Sequence, residues 1–261
     1  MTKLVILIPT GGRVHTQFMS CMIRLTQALS KRDIGFAVKT YEFSDLVMSR
    51  NYLVSYFLSQ PQFTHALLLD SDLEFAPKQV FRLLDFNEDF VAAAYPDRRI
   101  TGPVLKDALD NAKETDLESQ QSVGKLLARY MRYVATANLG AKTQFRREKR
   151  DGFHTVASVG TGFMLIKRTV VERIADEGHA HPLPRTGRLN IYQDAPRFSD
   201  FFSHHMTAEK DAFYGEDQSF CRRWILGCGG KIWVDRQSQV AHIGEFSYQG
   251  DYAAHLAAKE T

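Results

Sequence analysis

"HALLLDSDLEF", residues 65–75, decides how the chain reads. Ala66 to Leu69 are apolar, and the run ends on Asp70, Ser71 and Asp72. A short apolar run bounded by polar residues predicts a strand buried on both faces, in a sheet covered by helices on each side. In an open α/β sheet, ligands bind beyond the carboxyl ends of the strands. This strand therefore delivers two acidic groups to the place where a ligand is expected. Two carboxylates this close raise each other's pKa unless a cation lies beside them. Mg²⁺ or Mn²⁺ fits, because a hard ion takes oxygen ligands and needs few from protein when a substrate phosphate supplies the rest. One of the pair binding a sugar or ribose hydroxyl is a second reading. A strand-end residue followed by a solvated turn residue is the third.

The flanks repeat the pattern. "KLVILIP" (3–9) is another continuous apolar run, broken by "TGGR". "IGFAVKTY" (34–41) and "DFVAAAYP" (89–96) read as further strands. Between them, residues 15–30 place Phe18, Met22, Leu25 and Leu29 at helical spacing, and "SDLVMSRNYLVSYFLS" (44–59) reads as a helix capped by Ser44 or Asp45. "PKQVFRLLDF" (77–86) carries Pro77 at its first position. Alternation of this kind predicts βαβ units and a mostly parallel central sheet with helices on both faces. Residues 105–152 are polar, with a basic run at 142–150, and read as a helical and loop insertion, not as a second sheet domain. "GTGFMLIKR" (160–168) resumes a strand, followed by a helix. Residues 180–212 read as a loop over the site, "EDQSFCRRWILGCG" (216–229) as a helix, "KIWVD" (231–235) as the strand that closes the sheet, and 246–261 as a tail. Residues 1–261 are read as one domain.

Composition narrows the function classes. The chain has 261 residues, 24% charged, with a formal net charge of +3. That mild excess suits a phosphate-bearing ligand and permits nucleic acid without arguing for it. Cys21, Cys221 and Cys228 show no zinc-ligand spacing and no disulfide density, which predicts a reducing, cytoplasmic setting. The first residues lack a signal-peptide pattern, and no apolar stretch reaches the ~18 residues of a membrane span.

Two further motifs carry chemistry. "YGEDQSFCRRW" puts Glu216 and Asp217 at a helix start, as caps favoured by the dipole or as a general base facing an acceptor hydroxyl. "QVAHIGEF" puts His242 after the last strand, as a structural histidine or as a third metal ligand.

Taken in order, "ILIPTGGR", "SRNYLVSYFL", "LLLDSDLEF", "AAAYPDRRI", "VGTGFMLIKR", "YGEDQSFCRRW" and "AHIGEF" resemble a family 2-like glycosyltransferase of the GT-A fold, in a bacterial and phage subgroup. Residues 4–246 are spanned. The resemblance implies a nucleotide-sugar donor, UDP- or GDP-linked, and Mn²⁺ or Mg²⁺. It implies that Pro9, Thr10 and Gly11 line the base pocket with Arg13 near base or phosphate, and that Arg50 and Asn51 lie against the nucleotide. By the same resemblance Asp70 and Ser71 face ribose or sugar, Asp72 and His242 hold the metal with Asp70 beside it, and Gly160, Thr161 and Gly162 allow close approach of donor or acceptor. Asp217 would be the base of an inverting displacement and Glu216 would orient the acceptor. The chain departs from the family in lacking an acidic residue after the first strand, which leaves the base open. It also lacks the Gln-x-x-Arg-Trp motif of processive synthases, so transfer of a single sugar is expected. The acceptor is open: a surface glycan, a small molecule, a protein or a hydroxymethylated base in DNA. The rival readings are a nucleotidyltransferase and a non-catalytic sugar-nucleotide or glycan-binding protein.

Overall fold

The computed structural model describes residues 2–136, 147–184, 193–206 and 212–244. Their elements, in order, are β1 (Lys3–Thr10), α1 (Thr16–Lys31), β2 (Gly35–Glu42), α2 (Leu46–Leu58), β3 (His65–Leu69), β4 (Leu73–Glu74), α3 (Pro77–Phe86) and β5 (Phe90–Ala93). There follow α4 (Gly102–Asp110), α5 (Gln120–Ala128), β6 (Ala135–Thr136), β7 (Lys149–Arg150), β8 (Phe153–Val156), β9 (Ser158–Val159), β10 (Phe163–Lys167) and α6 (Arg168–Asp176). The last are β11 (His205–Met206), β12 (Phe213–Tyr214), α7 (Glu216–Arg222), β13 (Ile232–Asp235) and β14 (Ala241–His242).

Eight strands form the central sheet in the order β2-β1-β3-β10-β5-β13-β8-β7. β1 runs parallel to β2 and β3, and β13 to β5. β10 is antiparallel to both neighbours, and β8 to both of its own. All strands except β10 and β8 thus point the same way. The α/β architecture with a largely parallel sheet holds, and the sheet is mixed.

Side-chain alternation along the strands divides the core. Val5, Leu7, Ala66 and Leu68 face one side, against α2, α6 and α7. Leu4, Ile6, Leu67 and Leu69 face the other, against α1 and α3. Both faces of β1 and β3 are therefore covered, which is why these strands are apolar without interruption.

Two expectations are made finer and two are corrected. The strand read at 160–168 is β10, inserted antiparallel between β3 and β5. The insertion 105–152 contributes the short strands β6 and β7, and the guanidinium of Arg150 pairs with Glu88 at 2.5 Å and lies over Phe86 and Trp233. β13 does not close the sheet, because β8 and β7 extend it beyond. Much of the basic run, 142–146, lies outside the described residues, as do the tail 246–261 and part of the loop 180–212. The described part of that loop is no mere cover, because Phe198, Phe201 and Phe202 are fully buried in the core beneath α2.

Candidate active site

The strand ends converge on a cleft of about 400 Å³. Pro9, Thr10 and Gly11 come from the end of β1, Arg50 from α2, and Asp70, Ser71 and Asp72 from the turn after β3. Tyr95 and Arg98 follow β5, Glu216 and Asp217 open α7, and His242 closes β14. Residues up to 233 positions apart in sequence, from Pro9 to His242, thus line one surface.

Arg50 is the centre of the site. Its side chain is 4% exposed, and its fork reaches three carboxylates. Nη2 donates to Asp70 at 3.1 Å, and Nη1 donates to Glu216 at 3.0 Å and to Asp217 at 2.8 Å. These anions outweigh the desolvation of burial and hold the guanidinium firmly protonated. Thr161 Oγ1 donates to Asp217 Oδ1 at 2.5 Å. Burial nevertheless pushes the Asp217 carboxyl above its ordinary range, with Glu216 and Asp70 adding to the effect and Arg50 and Thr161 opposing it.

Asp72 stands apart from this cluster. Its backbone carbonyl accepts from Ile243 N–H at 2.8 Å, which ties the β3–β4 turn to the β14 end. Its Oδ2 accepts from Arg98 Nη1 at 2.8 Å and lies 3.4 Å from His242 Nε2. Burial would raise its pKa, but His242 and Arg98 more than offset this and hold it below the usual carboxylate range. His242 Nδ1 lies 2.9 Å from Pro96 O. A carbonyl only accepts, so Nδ1 carries a hydrogen and Nε2 is directed at Asp72. Asp72 Oδ1 is buried and has no hydrogen-bond partner among the described residues. A buried, unsatisfied carboxylate oxygen beside an imidazole oriented by a backbone carbonyl fits a divalent cation. Asp70 fits less well as a ligand, because both of its oxygens face Arg50, at 3.1 and 3.3 Å.

The glycines of "GTG" admit protein, not only ligand. A Cβ on Gly162 would lie 2.5 Å from Asp70 Oδ2 and 2.7 Å from the Tyr95 hydroxyl, and one on Gly160 would lie 2.2 Å from that hydroxyl. Gly162 N–H donates to Tyr95 Oη at 3.0 Å. Gly162→Ala is therefore expected to cost about 1–3 kcal/mol by overpacking and to displace Asp70. Urea melts read the first effect, and a structure of the variant reads the second.

Two of the expected residues lie elsewhere. Asn51 is buried and turned away from the cleft, its Oδ1 accepting from Phe202 N–H at 2.7 Å, so it anchors the loop and does not touch a ligand in the cleft. Arg13 is exposed and absent from the cleft lining, and its carbonyl accepts from Thr10 and Ser71. Two residues were missed. Tyr95 is buried, its ring edge-on to His242 at 5.2 Å, and burial together with Asp70 and Asp217 pushes its phenol pKa up. Arg98 reaches Asp72. The sequence signal for both was the aromatic and basic cluster "YPDRR" directly after an apolar strand.

Glu216 and Asp217 also line an adjoining cavity of about 480 Å³, with Arg132, Tyr133, Val134 and Gly160. His204 Nε2 lies 3.7 Å from Glu216 Oε2. The two acidic residues thus stand where two ligand-sized spaces meet.

No protein-family model matches the chain, and no curated protein matches it. Among solved structures, A197 from STIV is similar at 15% identity and a TM-score of 0.43, over 96% of this chain and 98% of that one. A glycosyltransferase involved in the glycosylation of the major capsid of PBCV-1 is similar at 10% identity and a TM-score of 0.42, over 94% of each chain. A mutant Drosophila beta-1,4-galactosyltransferase 7 in complex with manganese, UDP-Gal and xylobiose is similar at 12% identity and a TM-score of 0.41, over 98% of this chain and 79% of that one. Likenesses of this size fix neither a family nor an activity.

Proposed function

We propose that the chain is a metal-dependent glycosyltransferase of the GT-A type. It moves one sugar from a UDP- or GDP-linked donor to an acceptor hydroxyl, with inversion at the anomeric carbon. The observation that carries this reading is a single cleft lined by Asp72 and His242 and also by Glu216 and Asp217, the second pair lining an adjoining cavity as well.

Each group of lining residues has a task. Pro9, Thr10 and Gly11 line the mouth where the donor base enters, with the exposed Phe43 ring beside them. Asp72 and His242 would hold a divalent ion. When bound there, such an ion supplies charge neutralisation to the leaving diphosphate. Arg98, half-exposed and already at Asp72, adds a second positive charge within reach of that diphosphate. Asp217 accepts the proton of the attacking hydroxyl, and Glu216 orients the acceptor. Arg50 holds Asp70, Glu216 and Asp217 in register through its hydrogen bonds to all three.

A screen for donor hydrolysis across UDP- and GDP-sugars with Mn²⁺ tests the reading. Turnover of one donor class is expected, and EDTA should abolish it. Asp72→Asn should remove the metal-dependent part of nucleotide binding in calorimetry and reduce turnover by at least ~10², with the circular dichroism spectrum retained. Full activity in EDTA would reject the assignment of Asp72 and His242.

A further inference from the structure

On the sheet face that carries α2, the end of α6 meets the turn that follows α7. Glu177 caps α6, Gly178 reverses the chain with φ +80°, and His179 follows. After α7 the chain forms a π-helical turn over Arg223–Gly227, and Cys228 comes next. A π turn is uncommon and often marks a functional position. Here it brings Cys228 Sγ, a His179 ring nitrogen and a Glu177 carboxylate oxygen all within 4.8 Å of one another.

We propose that Glu177, His179 and Cys228 bind a borderline-soft divalent cation of the zinc class, at a site separate from the carboxylate cleft. Thiolate, imidazole and carboxylate are the donor types zinc takes, and three protein ligands leave a fourth position for water. A cavity of about 310 Å³, lined by His179, His181 and His205, adjoins the cluster at His179.

The ligands are already held. A Cβ on Gly227 would lie 2.7 Å from the His179 ring, so the turn packs flat against the imidazole and fixes its plane. Arg173 fastens the other two: Nε donates to Glu177 Oε1 at 2.7 Å, and Nη2 donates to the Cys228 carbonyl at 2.6 Å. Glu177 Oε2 remains directed at His179 Nε2, 3.9 Å away. Arg173 thus occupies the place of an outer-shell partner, engaging the carboxylate oxygen that faces away from the metal position. Zinc-bound donors lie at 2.0–2.3 Å from the ion, so closing the cluster on an ion requires about 1 Å of contraction, within reach of the Glu177 side chain. Burial, and next the charge of Glu177, push the Cys228 thiol up to about 11. On binding, the S–H proton leaves to solvent and a metal–thiolate bond takes its place. The ion then cross-links α6 to the turn behind α7, the helix that presents Glu216 and Asp217.

Cobalt reports directly on this donor set, because only a sulfur ligand gives a thiolate-to-cobalt charge-transfer band. Co²⁺ titrated into the full chain is expected to produce that band with a stoichiometry of one, and Zn²⁺ should displace it. Cys228→Ser should abolish the band with the circular dichroism spectrum retained. Asp72→Asn should leave it unchanged, which separates this site from the cleft. Arg173→Gln should weaken binding about 10–100-fold, and His179→Gln should weaken it at least as much. No charge-transfer band at saturating cobalt, a band that survives Cys228→Ser, or unchanged affinity in His179→Gln would overturn the proposal.

Discussion

Arg50→Met is expected to destabilise the protein by about 3–5 kcal/mol at neutral pH, the cost of breaking a buried ion pair. The side chains of Asp70, Glu216 and Asp217 are 23–27% exposed, while that of Arg50 is 4% exposed. Some water therefore reaches the carboxylates, which places the loss toward the lower end of that range. Removing the guanidinium leaves three negative charges facing one another without a counter-ion. Burial, Glu216 and Asp70 then raise the folded-state pKa of Asp217 without Arg50 to oppose them. A carboxyl with a raised folded pKa destabilises at high pH and is relieved as pH falls through that value. The variant should thus recover part of its stability between pH 7 and pH 5. Arg50→Lys should recover less than half of the loss, because one ammonium cannot reproduce a fork that serves Asp70 from one nitrogen and the α7 pair from the other. Urea melts of the three proteins at both pH values check this. An unchanged midpoint for Arg50→Met at pH 7 would show that the cluster is not held by charge.

The sequence made β1 and β3 legible because both faces of each are buried. A run such as "VILI" or "ALLL" has no other economical reading in a chain of this size. The same logic located Asp70 and Asp72, since the end of an apolar strand is a topological position as much as a local one. What sequence could not supply was partnership. Arg50 and Asn51 are neighbours in the chain, yet on a helix with 3.6 residues per turn they point about 100° apart, so one enters the cleft and the other ties down the Phe202 backbone. The antiparallel insertion of β10 was hidden because an apolar strand carries no mark of its direction. The aromatic loop before α7 was misread for a related reason. Phe198, Phe201 and Phe202 follow no helical or strand period, and only tertiary packing shows them to be core. Cys228 was set aside as a ligand because the donor groups near it, Glu177 and His179, lie about fifty residues earlier, at spacings that match no metal motif.

Asp217→Asn is the variant from which the largest loss of turnover is expected, about 10²–10⁴-fold, with donor affinity nearly unchanged. Among the described residues, both hydrogen bonds to this carboxylate, from Arg50 and Thr161, fall on Oδ1. That leaves Oδ2 to meet an acceptor entering from the adjoining cavity. An amide cannot take the proton of the attacking hydroxyl. The fold should survive the exchange, because Arg50 keeps Asp70 and Glu216 as counter-ions. Burial pushes the Asp217 carboxyl up, so its base form is lost at a higher pH than for an exposed aspartate. In the wild type, turnover should therefore fall as pH is lowered, with a midpoint above the ordinary carboxylate value of about 4. Asp217→Asn should flatten that limb, which a purely structural role would not do. Glu216→Gln should keep the limb and more of the rate, and should raise KM for the acceptor. The product anomer, read by NMR, completes the test. Inversion requires a base on the acceptor side, whereas front-face transfer lets the leaving phosphate take the proton. A retained anomeric configuration, or an Asp217→Asn protein near the wild-type rate, would leave Asp217 as a first-turn residue of α7 that stabilises the helix and counters Arg50.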